Sequence, residues 1–321
     1  MLRMKFSLPI DTKPSLQGQT VLITGANVGL GFEAALKFVQ LGADRVIVGV
    51  RSVEKGEQAK QEIEHRSRRK DCLLVWQLDM LDYGSVQAFA ERASRDLHRL
   101  DVVVLNAGVL KTKFEKSAYG WEETLQVNLL STVLLALLLT PKLKASKTEE
   151  HTPVLEFVSS GNHMHLTSLD DQGSILNSFN AAEQFSFMRQ YDYSKLFLEY
   201  AKAELVRNLN GDVLDKPKVC VLSVCPGPVK TNLVRDFTSA WYLRLAVNMV
   251  GLLQRSPEEG ARTYISGATS SPAVHGAFWQ DDHVQGLAPL VGGDRGQARQ
   301  AKVWAEIMAA LKTDVPGLIV P

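Results

Sequence analysis

Short apolar runs and longer amphipathic stretches alternate along this chain. Residues 20–24 form a brief β-branched run that leads into glycines. Over 31–41 the residues Phe32, Ala35, Leu36 and Val39 fall on one helical face, and Gly42 ends the pattern. After Arg45 the run to residue 50 is apolar throughout, the signature of a strand covered on both faces in a parallel sheet. The pattern then predicts a charged helix over 53–65, a strand over 73–78, a helix over 85–97 and a strand over 102–105. A long helix over 122–144, a strand over 154–158, a helix over 191–209 and a strand over 219–224 follow. Such alternation predicts an α/β fold, a doubly wound, mostly parallel sheet with right-handed crossovers and helices on both faces.

No repeat, low-complexity linker or Pro/Gly/Ser-rich boundary divides the 321 residues, so 1–321 reads as one domain with an N-terminal extension over 1–17. Two segments break the alternation. One is an insertion over 161–190. The other is an apolar stretch over 232–256 with Phe237, Trp241, Tyr242, Leu243, Leu245 and Met249. Both follow carboxyl ends of strands, the edge where open α/β sheets bind ligands. The second is expected to cover a pocket as a lid and to suit a hydrophobic substrate larger than a simple sugar. Residues 257–321 should add a last strand and helices.

Composition narrows the function classes. With 45% hydrophobic and 22% charged residues the chain is ordinary globular material. Its 36 basic and 35 acidic residues leave a net charge of +1, which argues against nucleic acid or an anionic membrane as partner. The local basic run over 65–70 reads as a solvated helix end. Cys72, Cys220 and Cys225 show no Cys-x-x-Cys spacing, so neither a metal site nor a disulfide framework is expected, and a reducing, cytoplasmic setting fits. Residues 1–15 lack a signal-peptide core. The most apolar run, 127–139, is interrupted by Asn128, Ser131 and Thr132 and is shorter than the ~20 residues of a membrane span, so it reads as a helix buried by protein.

The candidate chemistry begins at Thr24-Gly25-Ala26-Asn27-Val28-Gly29-Leu30-Gly31, between the first strand and the first helix. Glycines there let a pyrophosphate approach backbone N–H groups at a positive helix end. The second strand ends in Gly49-Val50-Arg51-Ser52, without the acid that would hold a free ribose 2′-hydroxyl. Arg51 instead offers a fork suited to a 2′-phosphate, Lys55 can add charge, and NADP is favoured over NAD. Asp79 could accept from an adenine amino group. Asn106-Ala107-Gly108 closes the fourth strand with small residues against which a flat ligand can lie. Tyr191 and Lys195 stand one helical turn apart, so the ammonium is expected to lower the tyrosine pKa and make an acid/base of it. Tyr193 is the competing tyrosine, but one turn beyond it stands Phe197, which cannot bias a phenol. His163 and His165 either line the mouth of the site or are structural. Cys225 reads as a small buried side chain before a proline.

These motifs, with Asn128, Ser159-Ser160 and Pro226-Gly227-Pro228-Val229-Lys230-Thr231, occur in the order of the short-chain dehydrogenase/reductase family, which the chain resembles from residue 18 to about 232. The long gap from Ser160 to Tyr191, Asn27, the Arg51…Glu54-Lys55-Gly56 run and Ser256-Pro257-Glu258-Glu259-Gly260-Ala261 look like the retinol dehydrogenase and WW-domain oxidoreductase-like branch, and the chain is similar to soluble fungal members that tailor secondary metabolites. The resemblance implies one Rossmann-fold domain with a mostly parallel seven-stranded sheet. It implies NADPH as hydride donor to a ketone or aldehyde, or the reverse alcohol oxidation, with Tyr191 as proton donor and Ser160 as a second donor to the same oxygen. Ser160 is preferred to Ser159 because the two face opposite ways along a strand and the family uses the second serine. Lys195 would hold the nicotinamide ribose, Asn128 would hold a relay water, and Pro226, Val229 and Thr231 would lie along the nicotinamide.

Two other function classes remain open to the sequence: a non-redox isomerase or cyclase that reuses the pocket, and a cofactor-binding regulator without turnover. Loss of Tyr191 or Lys195 would mark the latter, and both are present. In many members of the family the helices over 124–144 and from Tyr191 pack subunits together, so a homodimer is expected.

Overall fold

The computed structural model describes residues 8–210, 216–230 and 254–318. Among the described residues eight strands form one sheet: β1 (Thr20–Thr24), β2 (Arg45–Val50), β3 (Leu73–Gln77), β4 (Val102–Leu105), β5 (Val154–Val158), β6 (Cys220–Cys225), β7 (Phe278–Gln280) and β8 (His283–Val284). Their order is β3-β2-β1-β4-β5-β6-β7-β8. The first seven pair in parallel, and the two-residue β8 adds an antiparallel edge to the expected seven. Strand order reverses between β1 and β4, so the crevice at their carboxyl ends is the topological switch point of the sheet.

The period of two along each strand divides the core into two layers. Leu22, Leu155 and Phe157 face one layer, packed by α3 (Tyr83–Asp96), the long α4 (Glu123–Ala145) and α6 (Phe187–Asn210). Val21, Ile23, Val154 and Val158 face the other, packed by α1 (Gly29–Gln40) and α7 (Pro257–Thr269), with Ile63 of α2 (Val53–Ser67). The basic run is taken up locally. Arg66 pairs with Glu33, and Arg69 Nη1 donates to the carbonyls of Val39 and Ala43 at the end of α1.

Helix α4 has a mean hydropathy of 1.6 over its most apolar window, and 89% of that window is buried. It is long and apolar enough to cross a membrane, but protein covers it. The insertion is an ordered strap. It carries the short α5 (Ile175–Phe179), whose first N–H groups at Ile175 and Leu176 donate to Glu306 of the C-terminal helix α8 (Gly293–Asp314) at 3.0 and 2.8 Å. Asp171 meets Arg299 of α8 at 2.8 Å. Helix α8 also packs along α6, so part of the α6 surface on which the homodimer expectation rested is covered by the chain's own C-terminal helix.

Candidate active site

Loops from the carboxyl ends of β1, β4, β5 and β6 meet the second turn of α6. Thr24, Gly25, Asn27, Gly29, Leu30 and Gly31 carry the chain from β1 into α1, with Gly25 and Gly29 in left-handed conformations at φ +67° and +62°. Val28 caps α1 without a side-chain hydrogen bond, and no acid lies in the first turn. The leading N–H groups and the positive helix end are therefore free of a competing carboxylate. Asn106 Nδ2 donates to the carbonyls of Thr24 and Gly25 at 2.8 and 3.3 Å, and the Ala107 N–H donates to Thr24 Oγ1 at 2.9 Å. These bonds join the β1 and β4 ends across the switch point. A Cβ at Gly31 would lie 2.6 Å from Asn106 Nδ2 and 2.7 Å from the Gly25 oxygen, so only glycine lets the loop close this tightly. A backbone cradle at an uncapped helix end fits the pyrophosphate of a dinucleotide.

Around the neighbouring strand ends, Arg51 and Lys55 are both exposed, one at the end of β2 and the other in the first turn of α2. Asp79 is half-buried after β3, and its Oδ1 accepts from the Leu81 N–H at 3.0 Å. Part of its accepting capacity is thus used to make a turn.

Helix α6 starts at Phe187, a turn earlier than the pattern predicts, so Tyr191 and Lys195 sit inside it. Lys195 is 5% exposed, and its Nζ donates to the Val158 carbonyl at 2.8 Å while lying 5.7 Å from the centre of the Tyr191 ring. Burial pushes the Lys195 ammonium down to about 8, against the opposing influence of Glu199 and Cys225. Burial also raises the Tyr191 phenol, the neighbouring Cys225 adds to the rise, and a hydrogen bond with Ser160 opposes it. The expectation that Lys195 lowers the tyrosine pKa is therefore corrected. Loss of solvent outweighs an ammonium whose proton points at Val158.

Ser160 is half-buried, and its Oγ accepts from the Asn162 N–H at 3.3 Å on the Tyr191 side of the strand end. Ser159 is buried and faces Glu199. The tyrosines separate equally well, because the Tyr193 hydroxyl donates to the Ser168 carbonyl of the insertion and its ring packs 4.8 Å from that of Phe179. His163 is a core histidine: Nδ1 lies 2.6 Å from the Ser160 carbonyl and the ring meets Phe278 edge-on at 4.7 Å. His165 is exposed. Cys225 is buried, burial raises its thiol, and its Sγ accepts N–H groups from Gly161 and Gly227 at 3.2 and 3.4 Å. That geometry ties two loops together and offers no exposed nucleophile.

Asn128 lies in a π-helical turn, Gln126–Ser131, within α4. Such turns recur at functional sites. Its Oδ1 accepts from the Val109 N–H at 2.8 Å, and its Nδ2 donates to the Val109 carbonyl at 2.9 Å and to Ser194 Oγ at 3.1 Å. Both amide donors are thus engaged by protein, so the side chain positions the loop after Gly108 and the helix of Tyr191. Gly108 brings that loop close to Lys195, since a Cβ there would be 3.8 Å from Nζ.

After β6, Pro226 is buried and Val229 forms a bridge with Arg255. Thr231 and the proposed lid up to residue 253 lie outside the described residues. The pattern reading missed Arg255 and Tyr264. Tyr264 reaches from α7 to donate to Asn106 Oδ1 at 3.0 Å, which orients the amide that closes the glycine loop. Its only sequence signal is the Ser256/Glu259 capping box, which marks where α7 begins but not what it touches.

A family model described as short chain dehydrogenase matches residues 19–162. The short-chain dehydrogenase/reductase phmF of Phaeosphaeria nodorum is 40% identical over 308 residues, which cover 94% of this chain and 89% of that one. The short-chain dehydrogenase/reductase ffsI of Aspergillus flavipes is 36% identical, with 97% and 91% covered. Among solved structures, an uncharacterized protein from Mycobacterium paratuberculosis superposes with a TM-score of 0.67 at 27% identity over 93% of this chain and 95% of that one. The Pseudomonas aeruginosa RhlG/NADP active-site complex gives 0.64 at 22% identity over 83% and 95%, a likeness of fold alone.

Proposed function

The chain belongs to the short-chain dehydrogenase/reductase family, and from that premise we propose that it is an NADPH-dependent reductase of a ketone or aldehyde on a hydrophobic small molecule, a tailoring step in secondary metabolism. The observation that carries the proposal is the convergence of Tyr191, Ser160 and Lys195 beside the glycine cradle. A bound nicotinamide would supply the hydride. Thr24 to Gly31 would hold the pyrophosphate, and Lys195 would face the ribose next to it. Tyr191, kept neutral by burial, is poised to give its proton to a carbonyl oxygen as negative charge develops there. Ser160 shares a hydrogen bond with that phenol and can donate to the same oxygen. A neutral tyrosine is the protonation state that the reduction needs, and the ratio of reduced to oxidised cofactor sets the net direction. Three buried free thiols suit a reducing compartment such as the cytoplasm.

The test is a screen of ketones and aldehydes that follows NADPH absorbance. No oxidation of NADPH by any of them removes the reading. Arg51→Ala should weaken NADPH about 10- to 100-fold and leave NADH within about twofold, because one charged hydrogen-bonding group to the 2′-phosphate is lost. Equal loss for both cofactors in fluorescence titrations would show that Arg51 does not read the phosphate. The packing of α8 along α6 leads us to expect one chain per particle. Sedimentation velocity at micromolar concentration should give the 35.5 kDa mass of the monomer, and a dimer mass would restore the earlier expectation.

A further inference from the structure

Arg255 belongs to none of the cofactor or catalytic motifs and falls at the end of the apolar 232–256 stretch, yet it is buried to 5% exposure against the loop that follows β6. Its Nη1 donates to the Pro226 carbonyl at 2.9 Å, and its Nη2 pairs with Asp281 in the turn between β7 and β8. Its backbone is held as well. The Arg255 N–H donates to the Pro228 carbonyl at 2.8 Å, and its own carbonyl accepts from the Lys230 N–H at 3.0 Å. The guanidinium presses so closely on the loop that a Cβ at Gly227 would come within 2.5 Å of Nη1. One turn further on, a Cβ at Gly260 would lie 2.6 Å from Val229 and 2.7 Å from Leu30 of the glycine loop. The start of α7 is therefore seated against both cofactor loops, and Arg255 is the charged group that fixes it to the second of them.

We propose that Arg255, held by Asp281, is a positioning residue that sets the Pro226–Val229 loop for the nicotinamide half of the dinucleotide. The proposal rests on the nicotinamide-dependent reading above. Its physical basis is the fork of the guanidinium. One arm fixes a backbone carbonyl of the loop, and the other is anchored by a carboxylate on a different strand pair, in a site with little water to compete. A carbonyl held by a buried cation cannot drift, so the loop surface is formed before the ligand arrives.

Binding of two ligands separates this role from general support. NADPH spans the whole crevice, whereas 2′,5′-ADP carries the adenosine and 2′-phosphate but no nicotinamide. In calorimetric titrations Arg255→Met should weaken NADPH about tenfold or more and leave 2′,5′-ADP within about twofold. Arg255→Lys keeps the charge but cannot reach both partners, so it should fall between the two. Asp281→Asn should weaken NADPH less than Arg255→Met does, and adding it to Arg255→Met should cost nothing more, as expected for two members of one unit. Equal weakening of both ligands by Arg255→Met overturns the proposal in favour of a purely structural role. So does unchanged NADPH affinity in that variant, or in Asp281→Asn should Arg255→Met fail to fold. Wild-type protein that binds neither ligand overturns the nicotinamide reading along with the latch, whereas wild-type affinity for NADPH in the variants overturns the latch alone.

Discussion

Replacing Tyr191 with phenylalanine should lower turnover with any accepted carbonyl compound by about a thousandfold and leave NADPH affinity within about twofold. The substitution removes one oxygen and keeps the ring, so the packing of α6 is preserved. What disappears is the proton that neutralises the developing alkoxide, and Ser160 alone can only hydrogen-bond to it. Burial holds the phenol above its usual value, so it keeps its proton throughout the neutral range. Lys195, pushed down to about 8, carries its charge below that pH and loses it above, so the reduction rate of the wild type should fall on the alkaline side of pH 8. Stopped-flow traces of NADPH oxidation, with a separate binding titration, check both statements. A Tyr191→Phe variant with near wild-type turnover would transfer the acid role elsewhere. A variant that loses NADPH binding as well would mean that the hydroxyl serves the cofactor rather than the substrate.

Gly31→Ala should abolish measurable NADPH binding and destabilise the fold by about 1–3 kcal/mol, the usual cost of forcing a methyl into a packed site. The added Cβ would meet Asn106 Nδ2 at 2.6 Å, the Gly25 oxygen at 2.7 Å and the Ala26 Cα at 2.9 Å. Two of those three are backbone atoms of the cradle itself and cannot swing aside as a flexible side chain would. Relief requires either α1 to move off the sheet or Asn106 to leave Thr24 and Gly25, and both open the loop that the phosphate must touch. Urea unfolding and a fluorescence titration measure the two effects. Tight NADPH binding by the alanine variant would show that the cradle yields, contrary to its geometry.

Both predictions draw on residues that are legible in the sequence. A strand, a glycine turn and an amphipathic helix in succession specify a cofactor loop, because each is a local pattern with a local cause. The same holds for Asn106 at a strand end and for Tyr191 over Tyr193 by spacing to Lys195, whereas strand alternation only separates Ser159 from Ser160 and the family resemblance picks the second. Less legible was anything that depends on what lies opposite. Spacing does not set the tyrosine pKa, because one helical turn in sequence says nothing of where an ammonium points, and Lys195 points at Val158. Asn128 was recognised, but the bonds that engage its amide come from Val109 and Ser194, on a loop and on another helix.

By itself, then, the sequence determined the doubly wound sheet, its crevice and the glycine turn after β1, and it singled out Tyr191 and Lys195 as the candidate acid/base pair. These follow from periodicity and from side-chain chemistry at short range. Tertiary structure alone decided that α8 packs along α6 and is tied to the insertion, that Tyr264 orients Asn106, and that Arg255 joins the loop after β6 to Asp281. Each of these is a contact between segments far apart in the chain. Its energy comes from burial and from hydrogen bonds in a space that exists only once the sheet has brought those segments together.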